Sequence, residues 1–95
     1  MEQSDDPVVA AHRERVTACD EVLLRAINDR LAAVRDLHTY KRERGYPAFD
    51  ADREGWVRGW IAEVNPGPIA NGAALEIWST VIPVLTREAA RLLEG

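Results

Sequence analysis

From Val8 to Arg44 the sequence holds neither proline nor glycine. Apolar residues recur through it at spacings of three and four, the signature of an amphipathic helix. Pro7, just ahead, suits a first helical turn, where its missing N–H has no intrahelical partner to lose. The pattern predicts one helix of about 37 residues, roughly 55 Å long at ~1.5 Å of rise per residue. A compact chain of 95 residues has a radius of gyration of only about 12 Å. A rod of that length cannot be covered by its own chain, so it has to find a partner outside it.

Gly45 ends the rod, and Lys41, Arg42 and Arg44 in its last turns suit the helix dipole. Gly45-Tyr46-Pro47 reads as a loop. Asp50 or Asp52 can cap a second helix, with Glu54 near its start. That helix carries Trp56, Val57, Trp60, Ile61 and Val64 on one side, and Asn65-Pro66-Gly67-Pro68 ends it. Asn71 or Gly72 opens a third, bearing Leu75, Ile77, Trp78, Val81, Ile82, Leu85, Ala89, Leu92 and Leu93. Pro83 inside it predicts a kink or a local loss of hydrogen bonding. Residues 1–6 are polar and expected to fray, so 1–7 is expected to be disordered within a single 1–95 domain. Strand signals, internal repeats and low-complexity tracts are absent. The fold class is all-α: one long helix and two shorter ones per protomer.

Composition narrows the function. The chain is 46% hydrophobic and 29% charged, with a net charge of −4, which argues against general binding to nucleic acid or to an anionic membrane. No apolar run reaches membrane-spanning length, and the acidic start (Glu2, Asp5, Asp6) does not read as a signal peptide, so a cytoplasmic setting is expected. Cys19 is the only cysteine. It rules out an internal disulfide and reads as a packing thiol.

Against that acidic background, one seam of the long helix is basic. Counting by sevens gives Val16, Leu23, Arg30 and Leu37, interleaved with Arg13, Asp20, Ile27, Val34 and Lys41. Unpaired charge is expensive to bury, so Arg13, Arg30 and Lys41 within an apolar stripe point to an anionic guest. Arg30 and Lys41 are separated by ~16 Å of helix rise, within reach of one small dianion held between two long side chains. Arg13 lies a further ~25 Å away and cannot join them within its own chain. If two copies cross antiparallel about an axis near Leu24, Arg13 of one meets the Arg30–Lys41 stretch of the other, twice per dimer. The competing reading is that the three cations snorkel outward at the edge of the stripe. Spacing alone leaves the two even.

No other chemistry presents itself. His12 and His38 lack metal-ligand spacing with each other or with Cys19, so no metal site is expected. There is no glycine-rich phosphate loop, and no nucleophilic triad can be assembled. His38 reads as a polar-face or packing histidine. Trp56, Trp60 and Trp78 recur at helical spacing and read as core. Asp52 reads as a cap, whereas Glu54 can either pair with Arg58 one turn on or serve a site.

The joint pattern resembles the all-helical class of chorismate mutases. It runs through Arg13-Glu14-Arg15-Val16, Asp20, Leu23-Leu24, Asp29-Arg30 and Tyr40-Lys41, then Gly45-Tyr46-Pro47 and Asp50-Ala51-Asp52-Arg53-Glu54. Asn65-Pro66-Gly67-Pro68 and the Ile77-Trp78 helix complete it, so that residues from about 12 to about 90 are covered. The resemblance implies an intertwined antiparallel homodimer of three-helix protomers that converts chorismate to prephenate in aromatic amino-acid biosynthesis (the shikimate pathway). The reaction is one pericyclic rearrangement that needs no cofactor. It implies Arg30 and the partner's Arg13 as carboxylate clamps, since a guanidinium pairs bidentately with a carboxylate. It implies Lys41 as donor to the ether oxygen, Glu54 as acceptor for the ring hydroxyl, and Asp50 and Arg53 at the loop edge of the pocket.

The sequence departs from that pattern on the last helix. Where the family usually has a small polar residue and, four positions on, a Gln or Glu that donates to the ether oxygen, this chain has Leu85 and Ala89. Both would line the substrate without donating. A register change at Pro83 would turn Glu88 inward instead, and a carboxyl there must be protonated to donate. The alternatives follow from this. They are a mutase acting on 4-amino-4-deoxychorismate, since Glu54 accommodates an ammonium as readily as a hydroxyl, and an isochorismate pyruvate lyase, ranked lower because Asp50-x-x-Arg53-Glu54 is retained. A weakly active or non-catalytic dimer that binds such a metabolite is a further reading, as is a mutase completed by a partner enzyme of the shikimate pathway.

Overall fold

The structure is a computed structural model describing residues 2–48 and 51–94, with side chains for all of these except Ala51, Asp52 and Glu54. Its elements are a 3-10 turn at Gln3–Asp5, α1 (Pro7–Arg44), α2 (Ala51–Val64) and α3 (Asn71–Glu94). No strand occurs among the described residues. Among the described residues, no helix is long and apolar enough to cross a membrane. Asp50, and the side chains of Asp52 and Glu54, lie outside the described residues, so the expected cap of α2 is not tested.

The chain divides into two compact units, Met1–Arg30 and Leu31–Gly95. In the first, Gln3–Asp5 within the polar start forms the 3-10 turn. Asp6 then caps α1: its Oδ1 accepts from the Val8 N–H at 2.9 Å, and its carbonyl accepts from the Ala10 N–H at 3.0 Å. These bonds satisfy donors that a helix start otherwise leaves open. Pro7 takes the first helical position, as read from the sequence. No residue of α1 is buried. Val8 (62% exposed), Val16 (60%), Leu23 (58%) and Leu24 (62%) stand in solvent in the single chain.

In the second unit, α1 ends where the sequence placed its stop. Tyr46 N–H donates to the Lys41 carbonyl at 2.9 Å and Gly45 N–H to the Arg42 carbonyl at 3.2 Å. This is the paired closure of a Schellman motif, which requires a left-handed residue. Gly45 supplies it at φ 72°. A Cβ there would meet nothing within 4 Å, so the backbone angle and not crowding selects glycine.

α2 packs against α3. Among the described residues, the buried side chains are Ile61 from α2 and Ala74, Leu85 and Ala89 from α3. On α3 they share a stripe with half-buried Trp78, Val81, Ile82 and Leu92, the spacing of one helical face. Asn65 closes the α2–α3 connection. Its N–H donates to the Ile61 carbonyl, and its Oδ1 accepts from the Gly67 N–H at 3.0 Å. Its Nδ2 donates to the Ile69 carbonyl at 2.8 Å and to Asn71 Oδ1 at 2.7 Å. Pro83 does not break α3, which runs unbroken to Glu94. Proline removes one i→i−4 bond, and at an exposed position water can satisfy the freed Ser79 carbonyl.

Candidate active site

The three seam cations differ in setting. Arg13 is exposed, in the first unit. Arg30, the last residue of that unit, is half-buried. Lys41, in the second unit, is also half-buried, and its Nζ donates to the Ala48 carbonyl at 3.4 Å across the loop that follows α1. Among the described residues, no carboxylate forms an ion pair with Arg13, Arg30 or Lys41. The chain carries 16 acidic residues against 12 basic ones, so a shortage of anions is not the reason. Unpaired exposed cations are commonplace. Half-buried unpaired ones are less so, because partial desolvation raises the cost of leaving them without a counter-charge.

Arg53 lies near the start of α2, its guanidinium carbon 4.0 Å from the ring centroid of Trp56. Trp56 stacks on Trp60, centroids 5.4 Å apart and planes 22° from parallel. Trp60 meets Trp78 of α3 edge-on at 6.0 Å and 61°. The reading of the tryptophans as core holds in part: Trp60 and Trp78 are half-buried, but Trp56 is 45% exposed. Arg44 covers the Tyr40 ring in the same manner at 4.9 Å.

On α3, Leu85 is 3% exposed and Ala89 is fully covered. Neither offers a hydrogen-bond donor. The hydroxyls around Pro83 are also spent within the helix: Ser79 on the Leu75 carbonyl, Thr80 on that of Glu76, Thr86 on that of Ile82. Glu88 does not stand as a protonated donor. It accepts from Arg91 Nε at 2.9 Å and from Arg91 Nη2 at 3.3 Å. That hydrogen bonding, and then the guanidinium charge, hold its carboxyl below the ordinary glutamate range. The register change that would have turned it inward does not occur, because α3 carries its helical phase through Pro83. The second unit thus holds Lys41, Arg53, Leu85, Glu88 and Ala89, and the first holds Arg13 and Arg30.

Sequence reasoning missed Asn65 as the organiser of the α2–α3 loop and Trp56 as the seat of Arg53. The second had a signal, since a cation three residues before an aromatic on a helix lies over it.

A solved structure of chorismate mutase (form II) from Thermus thermophilus shares this architecture, with a TM-score of 0.80 at 22% identity over 87% of this chain and 94% of that one. At that identity the likeness establishes the fold alone, an all-α arrangement of three helices. Among curated proteins, none matches. Residues 12–89 match chorismate mutase type II, and the chain belongs to that family.

Proposed function

We propose that the protein is a homodimeric isomerase that rearranges chorismate to prephenate in aromatic amino-acid biosynthesis, in the cytoplasm. The ether C–O bond breaks as a C–C bond forms, with no redox change and no proton transferred, so no cofactor or metal enters the step. The enzyme's task is to hold the reactive shape and to stabilise charge developing on the ether oxygen. Arg30 and the partner's Arg13 clamp the two carboxylates. Lys41 donates to the ether oxygen and a neighbouring carboxylate. Glu54 accepts the ring hydroxyl, and Asp50 and Arg53 shape the loop edge.

The observation that carries this reading is the pair of half-buried cations, Arg30 and Lys41, without a carboxylate partner among the described residues, in a chain of this family. The exposed valines and leucines of α1 support a second copy as its cover. The test is chorismate consumption by the purified protein, with the product identified, run in parallel on 4-amino-4-deoxychorismate. Prephenate from chorismate alone supports the reading; turnover of the amino compound alone moves the substrate assignment.

A second reading has its own observation. With Leu85 and Ala89 buried and apolar and Glu88 held by Arg91, these positions of α3 supply no donor to the ether oxygen. The absence of one oriented donor costs ~10²–10³ in rate. The protein is then a weak mutase, or one whose activity a partner enzyme of the shikimate pathway raises.

A further inference from the structure

Arg53 is an exposed, long side chain near the N-terminus of α2. A side chain of that kind samples many rotamers unless something holds it. One contact that restrains it is the indole face of Trp56, 4.0 Å from the guanidinium carbon to the ring centroid. Guanidinium suits such a seat, because it is planar and weakly hydrated and so stacks on an aromatic ring at little desolvation cost. The seat is itself braced. Trp56 stacks on Trp60, one helical turn on, and Trp60 abuts Trp78 of α3. Trp60 directly precedes Ile61, which is 3% exposed and packs in the α2–α3 core. A continuous column therefore runs from that core outward to the Arg53 guanidinium.

We propose that Trp56 is a positioning residue for the mutase reaction. Its indole fixes the Arg53 guanidinium at the loop edge of the chorismate site, and Trp60 and Trp78 keep that indole in place. The inference rests on the reading that Arg53 borders that site. A Trp56 that merely packed the helix would act on stability and not on the substrate. A Trp56 that aims Arg53 acts on chorismate binding, and only while Arg53 is present.

The experiment is a double-mutant cycle of Trp56→Leu and Arg53→Ala, with Trp56→Phe as the conservative variant. Chorismate kinetics are read beside thermal melting and the NMR shifts of the Arg53 δ-protons. In the wild type those protons lie upfield, shielded by the ring. Trp56→Leu abolishes that shift and raises KM about two- to fivefold, the ratio expected of one exposed cation–π contact, with kcat nearly unchanged. Trp56→Phe restores most of both. In the double variant the KM equals that of Arg53→Ala alone. Additive effects, or a Phe variant no better than Leu, overturn the positioning role while the wild type still turns over chorismate. A wild type inert toward chorismate overturns the site reading itself, whatever the Arg53 shifts show.

Discussion

Glu88 and Arg91 form a two-point ion pair one turn apart on α3, with the Glu88 carboxylate accepting from both Nε and Nη2 of Arg91. The pair sits where sequence logic looked for a neutral carboxylic acid. The Arg91 guanidinium lowers the Glu88 pKa, so at neutral pH the side chain is ionised and has no proton to give. The folded value lies below the unfolded one. Any stabilisation from the pair is therefore present above the unfolded pKa and fades as pH falls through the folded value. Glu88→Gln is expected to leave the shape of the pH–rate profile around neutrality unchanged. A profile flattened by this substitution would instead place a protonated Glu88 at the reacting ether.

The proposed sharing of the site between chains makes a quantitative prediction. Arg13→Ala and Lys41→Ala protomers each form homodimers with two damaged sites. In a mixed dimer one site draws Lys41 from one chain and Arg13 from the other and is whole. Random exchange makes half the dimers mixed, so an equimolar mixture regains about a quarter of wild-type activity. Exchange is followed by mass-tagged protomers. Confirmed exchange with no recovered activity rejects the shared site.

Leu24, 62% exposed in the single chain, is expected to lie near the two-fold axis of that dimer. Leu24→Glu places two carboxylates there, one from each copy, in a desolvated interface. Burying such charge costs several kcal/mol or more. Sedimentation is expected to show a shift from dimer to monomer at micromolar protein, with loss of chorismate turnover in step. An unchanged dimer would move the axis elsewhere along α1.

Asn65 ties the end of α2 to the start of α3 through Gly67, Ile69 and Asn71. Asn65→Ala removes these side-chain bonds and is expected to cost about 1–3 kcal/mol, in line with the loss of several hydrogen bonds at a half-buried polar hub. Chemical denaturation of the dimer at fixed protein concentration reads it. Asn65→Asp keeps the acceptor for the Gly67 N–H but sets a carboxylate oxygen against the Ile69 carbonyl and Asn71 Oδ1, so it is expected to cost at least as much as alanine.

The helix boundaries were legible because local chemistry sets them. The long stretch without proline or glycine gave α1, Gly45 its stop, and Asn65-Pro66-Gly67-Pro68 the break before α3. Of the two outcomes expected at Pro83, the local loss of one hydrogen bond holds while α3 continues, because its turn faces solvent, which periodicity does not reveal. The seam cations Arg13, Arg30 and Lys41 stand out by their spacing, and the roles proposed for them rest on that spacing and on the family resemblance; the family match spans the stretch that carries them. The state of Glu88 is not legible from periodicity, because it depends on Arg91, one turn on along the same helix. The seating of Arg53 on Trp56 is not settled by helical spacing, which marks an aromatic face without saying which ring stays open to a cation.

All three tryptophans of the chain belong to the α2–α3 column, and none lies on α1. Tryptophan fluorescence, excited selectively over tyrosine, and the near-ultraviolet dichroism of the indoles therefore report on α2 and α3. Far-ultraviolet dichroism is weighted toward α1, the longest helix. Recorded together during a melt, the two signals show whether the rod and the column come apart in one cooperative event or in succession, without any label being attached.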